Sequence, residues 1–377
     1  MKIGIDTFAC DSGRSGVGMY LSAILRRIPP SGALFELFGW DYDRYSFSDF
    51  APNLDFVSRC SISGKTANAL WHMYKYPDFV KSRSYGACFF PAAHKQPPYK
   101  SPCTTIGVVH DMSAYWGTRS TREHLGAVLR LVMPNSLRHI DRIIAVSEWV
   151  KQELIEIVGV KESRIEVVPN GIDHSAFYPR PHGEETEILI QPFSFRKPYI
   201  LCVSRIDHPV KNQIRLIKAF ELFKERTGFP HRLVLAGADN NNSKKVKKTA
   251  AKSKLRSDIF FTGHFPISSL PELYSGADFV VLPSMYEGFG MGVLEAMACG
   301  IPSACARAAS LPETAEHAAM YFDPYDPEDM ADRMVVLASD RELNERYRKL
   351  GLERAKTFSW DLCAKRTLEI IQESAGN

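Results

Sequence analysis

A chain of 377 residues is long enough for two domains rather than one. Its hydrophobic fraction of 45% is ordinary for a soluble globular protein, and a net charge of +4 is too small to argue for nucleic acid as a partner. No apolar run approaches the roughly 18 residues that a bilayer crossing needs.

The chain begins on the strand-like KIGID, Lys2 to Asp6, without the apolar region of a signal peptide. Thr7 to Gly18 follows as a loop with Gly13, Gly16 and Gly18, then an amphipathic helix from about Val17 to Ile28. Strand, glycine loop and helix is how a doubly wound α/β domain starts, although the glycines alone also describe a tight turn. Strand-like pieces recur at Phe35–Phe38 and Ala87–Phe90. Between them Trp71, Tyr74, Tyr76 and Phe79 interleave with Lys65, His72, Lys75, Lys81 and Arg83. An acceptor cleft or a membrane-facing surface would use that pattern. Aromatic side chains in the core with the charges outward is the simpler expectation.

Thr104 to Val109 reads as a strand ending in His110 and Asp111, and ligands in open α/β sheets sit off the carboxyl ends of strands. A core or capping histidine fits as well. Glu123 to Ile140 is predicted helical, and Arg142 to Ser147 a strand. Ser147 caps a helix through Ile157, Ile165 to Val168 is a strand, and Pro169 to Asp173 a turn. Residues 178–198 carry Pro179, Pro181, Pro192 and Pro198, the composition of a linker.

The alternation restarts at Tyr199 to Ser204, with Arg205 and Lys211 at the carboxyl end of that strand. Arg232 to Gly237 is another strand. Lys244 to Arg256 is a helix with seven cations, expected as a solvated face, with an anionic-lipid surface as the alternative. Ile259 to Thr262 is a strand followed by Gly263, His264 and Phe265. Helices are predicted at Arg333–Leu337, Asn344–Lys356 and from Ser359 onward. The eight cysteines form no C-x-x-C pair, and several sit in apolar runs. That points to buried thiols in a reducing cytosol rather than disulfides or zinc, so a cytoplasmic location is expected.

The most informative stretch runs from Asp278 to Pro302. Phe279 to Leu282 is a short buried strand, Pro283 to Gly290 a loop, and Gly292 to Cys299 a helix stopped by Gly300 and Pro302. A glycine loop feeding a helix N-terminus presents bare N–H groups and partial positive charge, which is an anion site. Gly288, Gly290 and Gly292 would let a phosphate approach the backbone. Glu287 and Glu295 flank that position. Carboxylates beside a phosphate accept hydrogen bonds from hydroxyls, and a nucleotide sugar has hydroxyls on both sides of its diphosphate. A turn with a solvated helix acid is the other reading of the same spacing.

Glu287 and Glu295, with seven residues between them inside YEGFGMGVLEAMACGIP, resemble the E-x7-E signature of retaining glycosyltransferases of family four. The resemblance covers most of the chain, most strongly 142–377 and least 30–100. It implies an α/β GT-B architecture, two Rossmann-like doubly wound domains facing across a cleft. Residues 1–178 would form the N-terminal acceptor domain, with a C-terminal helix of about 360–377 packed back on it. Residues 179–198 would be a linker and 199–359 the nucleotide-sugar-binding domain.

The resemblance also assigns residues. GRSGVGMY is similar to the N-terminal glycine loop that faces the donor phosphates and the acceptor, giving Gly16 and Gly18. VVHD places His110 where relatives keep a histidine against the transferred sugar. SRIDHPVKNQ is similar to G-R-x-x-x-x-K-G, whose arginine and lysine bind the leaving diphosphate, so Arg205 and Lys211 take that role. Ser204 and Asn212 stand where glycine is commoner. Phe265 belongs to the turn that touches the nucleotide base. Gly288, Phe289, Gly290, Met291, Gly292 and Leu294 contact the nucleotide sugar, Glu287 its sugar and Glu295 its ribose. Met291 and Gly292 replace the usual leucine and proline, at positions that contribute mainly backbone.

The function implied is hexose transfer from a nucleotide sugar with retention at the anomeric carbon, a donor phosphate oxygen taking the acceptor's proton. No protein nucleophile, metal or cofactor is expected. IGID, VVHD and the LPE…YFDP run look most like bacterial mannosyltransferases of surface-polysaccharide assembly. The donor implied is GDP-mannose, with UDP-glucose or another UDP-sugar as runner-up. The acceptor is a saccharide or lipid-linked saccharide, which would bring the protein to the inner face of the membrane as a peripheral protein. An epimerase or phosphorylase on this fold, or a non-catalytic scaffold, are the remaining classes.

Overall fold

The computed structural model describes residues 1–58, 65–96, 98, 100–113, 135–180, 187–190 and 193–376. They fall into two compact units, Met1–Gly171 with Ser359–Asn377, and Ile172–Phe358.

The first unit is built on seven parallel strands: β1 (Lys2–Asp6), β2 (Leu34–Gly39), β3 (Leu54–Ser58), β4 (Ala87–Phe90), β5 (Thr104–Val109), β6 (Arg142–Ala145) and β7 (Ile165–Val167). Their order is β3-β2-β1-β4-β5-β6-β7, so the winding reverses between β1 and β4. Such strands are apolar throughout because helices cover both faces, and β4 (ACFF) is buried at every position. The glycine loop after β1 leads into the helix Gly16–Leu25, whose N-cap Ser15 Oγ accepts the Gly18 amide at 3.3 Å.

The aromatic stretch predicted for the core is there. Trp71, Tyr76, Phe79 and Tyr85 surround Phe38, while Tyr74 stays exposed. His72 differs from the outward charge expected of it. It is buried, with Nε2 2.6 Å from Asp6 Oδ2 at the end of β1. A buried polar ring keeps its place only with a partner, and Asp6 supplies one. The Lys65 side chain and most of the predicted helix 123–140 lie outside the described residues; Asn135 to Arg138 is helical.

The last helix, Trp360–Ala375, belongs to this first unit. Thr367 Oγ1 lies 3.0 Å from Tyr20 Oη, and Arg366 pairs with Glu166. A Cβ on Gly171 would stand 2.1 Å from the Trp360 nitrogen, so only glycine permits this approach.

The second unit begins at Ile172, before the expected boundary at 178. The stretch read as a linker contains an antiparallel hairpin, β8 (Glu187–Ile190) with β9 (Phe193–Arg196). EILI and the alternating FSFR are short strand patterns that the surrounding prolines obscure. Six parallel strands follow: β10 (Tyr199–Val203), β11 (Arg232–Ala236), β12 (Ile259–Gly263), β13 (Phe279–Leu282), β14 (Ser303–Ala306) and β15 (Met320–Phe322). Their order is β12-β11-β10-β13-β14-β15, with the reversal between β10 and β13. Of the seven described cysteines, all but Cys103 are buried, and all are free thiols.

Candidate active site

The carboxyl ends of β10 and β13 meet at the switch point of the second sheet, the place where doubly wound folds bind ligands. β10 delivers Ser204 to Asn212, and β13 delivers the loop that ends in the helix Met291–Ala298. Two hydrogen bonds hold the two loops together, and a third ties them to the loop after β15. The Met285 amide donates to the Val210 carbonyl at 2.9 Å. Asn212 Nδ2 donates to the carbonyls of Pro283, at 3.1 Å, and Pro324, at 2.7 Å. Asn212 has a φ of +57°, a conformation that glycine or asparagine tolerates. Asparagine thus fits where the family more often has glycine, and it adds two bonds that glycine lacks.

The helix Met291–Ala298 starts from Gly290 at φ +97°. Gly290 is the first acceptor of the helix, taking the amides of Val293 at 3.1 Å and Leu294 at 3.3 Å. The N–H groups of Phe289, Gly290, Met291 and Gly292 have no acceptor among the described residues. Four bare donors at the positive end of a helix are suited to a diphosphate. Ser310 Oγ donates to the Glu287 carbonyl at 2.8 Å, and Thr314 Oγ1 donates to the Phe289 carbonyl, so the loop is fixed from behind. Neither residue carried any signal in the sequence beyond its place near Leu311–Glu313.

Lys211 Nζ donates to Glu287 Oε1 at 2.7 Å, both side chains being mostly buried. The cation expected on the diphosphate and the acid expected on the sugar are therefore one ion pair. Arg205 is exposed at the end of β10; burial raises the carboxyl of Asp207 above its ordinary value, and the Arg205 charge partly opposes that. Asp207 accepts from Asn240 Nδ2 at 2.9 Å and its carbonyl takes the Lys211 amide at 3.0 Å. Phe265 is half-buried after β12, beyond Gly263 at φ +65°.

Glu295 is buried on the second turn of the helix, where Tyr274 Oη donates to its Oε2 at 2.8 Å. Burial raises its carboxyl to about 7, against which the tyrosine hydroxyl acts. Tyr274 was not singled out in the sequence. It lies 21 residues from Glu295 on another helix, and no spacing rule joins them. Leu294 is fully buried.

In the first unit, His110 follows β5. Its Nε2 donates to the Pro91 carbonyl at 2.9 Å, and its ring lies edge-on to Tyr20 at 4.9 Å and to His94 at 5.5 Å. Burial, then the neighbouring His94, push its pKa down to about 3, so the ring is neutral. With the proton committed at Nε2, Nδ1 can accept a hydroxyl. His94 Nδ1 in turn accepts the His110 amide at 3.4 Å, a contact that nothing in the sequence announced. Asp111 caps the next turn through Ser113, as expected of it. Gly16 has open space around its Cβ position, whereas a Cβ on Gly18 would meet the Cys10 carbonyl at 2.4 Å. Gly18 thereby serves the packing of its turn. Among the described residues no cluster of acids, histidines or cysteines has the makings of a metal site.

Two family models match. Residues 15–176 match "Glycosyltransferase Family 4", and residues 185–354 match "Glycosyl transferases group 1". The O-antigen chain mannosyltransferase B of Escherichia coli is 30% identical over 79% of this chain and 75% of its own length. The chain belongs to the family-four glycosyltransferases.

Two further relatives match more partially. The mannosylfructose-phosphate synthase of Agrobacterium fabrum is 28% identical over 62% of this glycosyltransferase and 53% of its own length. The serotype-specific mannosyltransferase WbdA of Escherichia coli is 27% identical over 71% of this chain, which spans 33% of WbdA. Among solved structures, sucrose-phosphate synthase from Thermosynechococcus elongatus superposes with a TM-score of 0.79 at 18% identity, covering 99% of this chain and 98% of that one. Anabaena HepE in complex with UDP and glucose gives 0.73 at 18%, covering 99% of each. These neighbours establish the GT-B fold for the glycosyltransferase.

Proposed function

We propose that this glycosyltransferase takes mannose from GDP-mannose and transfers it, with retention of anomeric configuration, to a saccharide or lipid-linked saccharide acceptor in cell-surface polysaccharide assembly. The observation that carries the donor is the 30% identity to an O-antigen chain mannosyltransferase. The site supports the chemistry. The difficult step is departure of a diphosphate from an oxocarbenium-like sugar, and a protein helps by stabilising charge that develops on the leaving group. The free amides of Phe289 to Gly292, with Arg205 and Lys211, would carry that task. Glu295 would take the ribose, Glu287 and His110 hydroxyls of the sugar, and Phe265 the base.

Glu287 is paired with Lys211 rather than free to attack, which favours hydroxyl binding over a covalent intermediate. A donor phosphate oxygen then takes the acceptor's proton, and the reaction uses no metal or cofactor. The acceptor's lipid would bring the protein to the cytoplasmic face of the membrane; no described helix is long and apolar enough to cross it. A UDP-sugar is the second reading, favoured by the likeness to HepE, solved with UDP-glucose.

The test is product analysis. The protein is incubated with GDP-mannose, UDP-glucose, UDP-galactose or UDP-N-acetylglucosamine and a mannose-terminated acceptor. Release of GDP, with an α-linked product by NMR, is the expected result. Turnover of a UDP-sugar instead would overturn the donor, and a β-linked product would overturn retention.

A further inference from the structure

The helix Leu270–Ser275 faces the nucleotide-binding helix and is held from several directions. Tyr199 Oη donates to the Leu273 carbonyl at 2.7 Å, Arg180 Nη1 to Ser275 Oγ at 3.3 Å, and Cys299 Sγ to the Pro271 carbonyl at 3.9 Å. Tyr274 on this helix has no exposed surface, and Phe177 packs edge-on to its ring at 6.2 Å. Its hydroxyl donates to Glu295 Oε2. The other oxygen, Glu295 Oε1, accepts nothing from the described residues and is not sealed from solvent. Gly292 makes room for the pair. A Cβ there would stand 3.4 Å from the Tyr274 hydroxyl and 2.8 Å from Leu282 Cδ2.

We propose that Tyr274 is a positioning residue for nucleoside recognition: it fixes one oxygen of Glu295 so that the other meets the vicinal diol of the donor's ribose. The inference rests on the nucleotide-sugar reading above. A carboxylate on a side chain with three rotatable bonds has many rotamers, and a ligand must otherwise supply the free energy of ordering it. A rigid phenol that takes one oxygen leaves the second already aimed.

The arrangement has a proton consequence. A diol donates best to an ionised carboxylate, whereas burial keeps Glu295 protonated up to about pH 7. Only the Tyr274 hydroxyl opposes that burial. The two thiols packed beside the pair stay protonated near neutrality. Burial raises the thiols of Cys202 and Cys299, to about 12 and about 11. Arg180 is bonded to Ser275 Oγ and the Ala176 carbonyl. Nucleotide binding would then release a proton from Glu295 at pH 7 and below.

Calorimetric titration of the full chain tests this, with GDP, UDP and their 2′-deoxy counterparts at pH 6 and pH 8.5. Wild type, Tyr274→Phe and Glu295→Gln are compared. Wild type should favour the ribonucleotide about tenfold over the deoxynucleotide, the worth of one charge-assisted bond. Its affinity for the ribonucleotide should fall about tenfold at pH 6, one unit below the titration. Tyr274→Phe should bind the ribonucleotide about tenfold more weakly, lose most of the ribose preference, and shift the pH midpoint upward, because the hydroxyl that favours ionisation is gone. Glu295→Gln should show no pH dependence from this group and little ribose preference, and it serves where Tyr274→Phe does not fold. Unchanged ribose preference and pH profile in Tyr274→Phe would overturn the proposal alone. An equal loss for both sugars would make Tyr274 merely structural and overturn it too. A wild-type protein that binds neither GDP nor UDP would bring down the nucleotide reading with it.

Discussion

Replacing Lys211 by alanine should harm this enzyme in two ways at once. In the proposed reaction the lysine is a cation for the departing diphosphate, and it is also the partner of Glu287 at 2.7 Å, with the two side chains 14% and 20% exposed. Loss of the first role resembles loss of one oxyanion donor, about 2.7–4 kcal/mol or roughly 10²–10³ in kcat. Loss of the second leaves a mostly buried carboxylate without its charge-assisted bond, worth about 1.5–3 kcal/mol. That freed anion would also repel the diphosphate. Removing the carboxylate as well, in Lys211→Ala with Glu287→Gln, should therefore restore donor binding by about 1 kcal/mol or more over Lys211→Ala alone. A double-mutant cycle on kcat and on donor Kd measures the coupling. Glu287→Gln by itself should retain measurable turnover, as befits a group that holds hydroxyls. Losses that simply add would refute a functional pair, and wild-type turnover in Lys211→Ala would refute the role of the lysine in leaving-group stabilisation.

Stability of the ligand-free protein should report Glu295. Its folded pKa of about 7 lies above the ordinary 4.5, so its contribution is fully present below 4.5 and is lost as pH rises through 7. The loss is of the order of 3 kcal/mol by pH 9, and urea unfolding at pH 5 and pH 9 should show it in wild type and not in Glu295→Gln. Gly237→Ala should destabilise the second unit by about 2 kcal/mol or more, because φ is +149° and a Cβ would lie 2.2 Å from the Ser204 carbonyl; an unchanged melting temperature would contradict the geometry. Asn212→Ala strips the Pro283 and Pro324 carbonyls of their donor and should cost about 1–3 kcal/mol, read by thermal unfolding, with donor KM rising alongside.

The second unit was largely legible in the chain because its strands are short apolar runs and its loops are marked by glycine and proline. The Asp278–Pro302 stretch carried strand, loop and helix in the right order, with the helix observed at Met291–Ala298. The hairpin at 187–196 was not legible, since four-residue strands among prolines look like linker. His72 was misjudged for a different reason. Its burial depends on Asp6, 66 residues away, and no local pattern reports a partner across the sheet. The same applies to Tyr274 and Glu295, and to the two carbonyls held by Asn212. Charges at strand ends could be picked out from the sequence, whereas the Lys211–Glu287 pairing became visible only once β10 and β13 lay side by side.

The most direct test of the account is a crystal structure of the enzyme with intact GDP-mannose, or with the UDP-sugar if that is the donor turned over. The account predicts phosphate oxygens on the amides of Phe289 to Gly292, Lys211 turned toward them, the ribose diol on Glu295 and sugar hydroxyls on Glu287. Density for the nucleotide elsewhere, or those two carboxylates without a contact to it, would contradict the account.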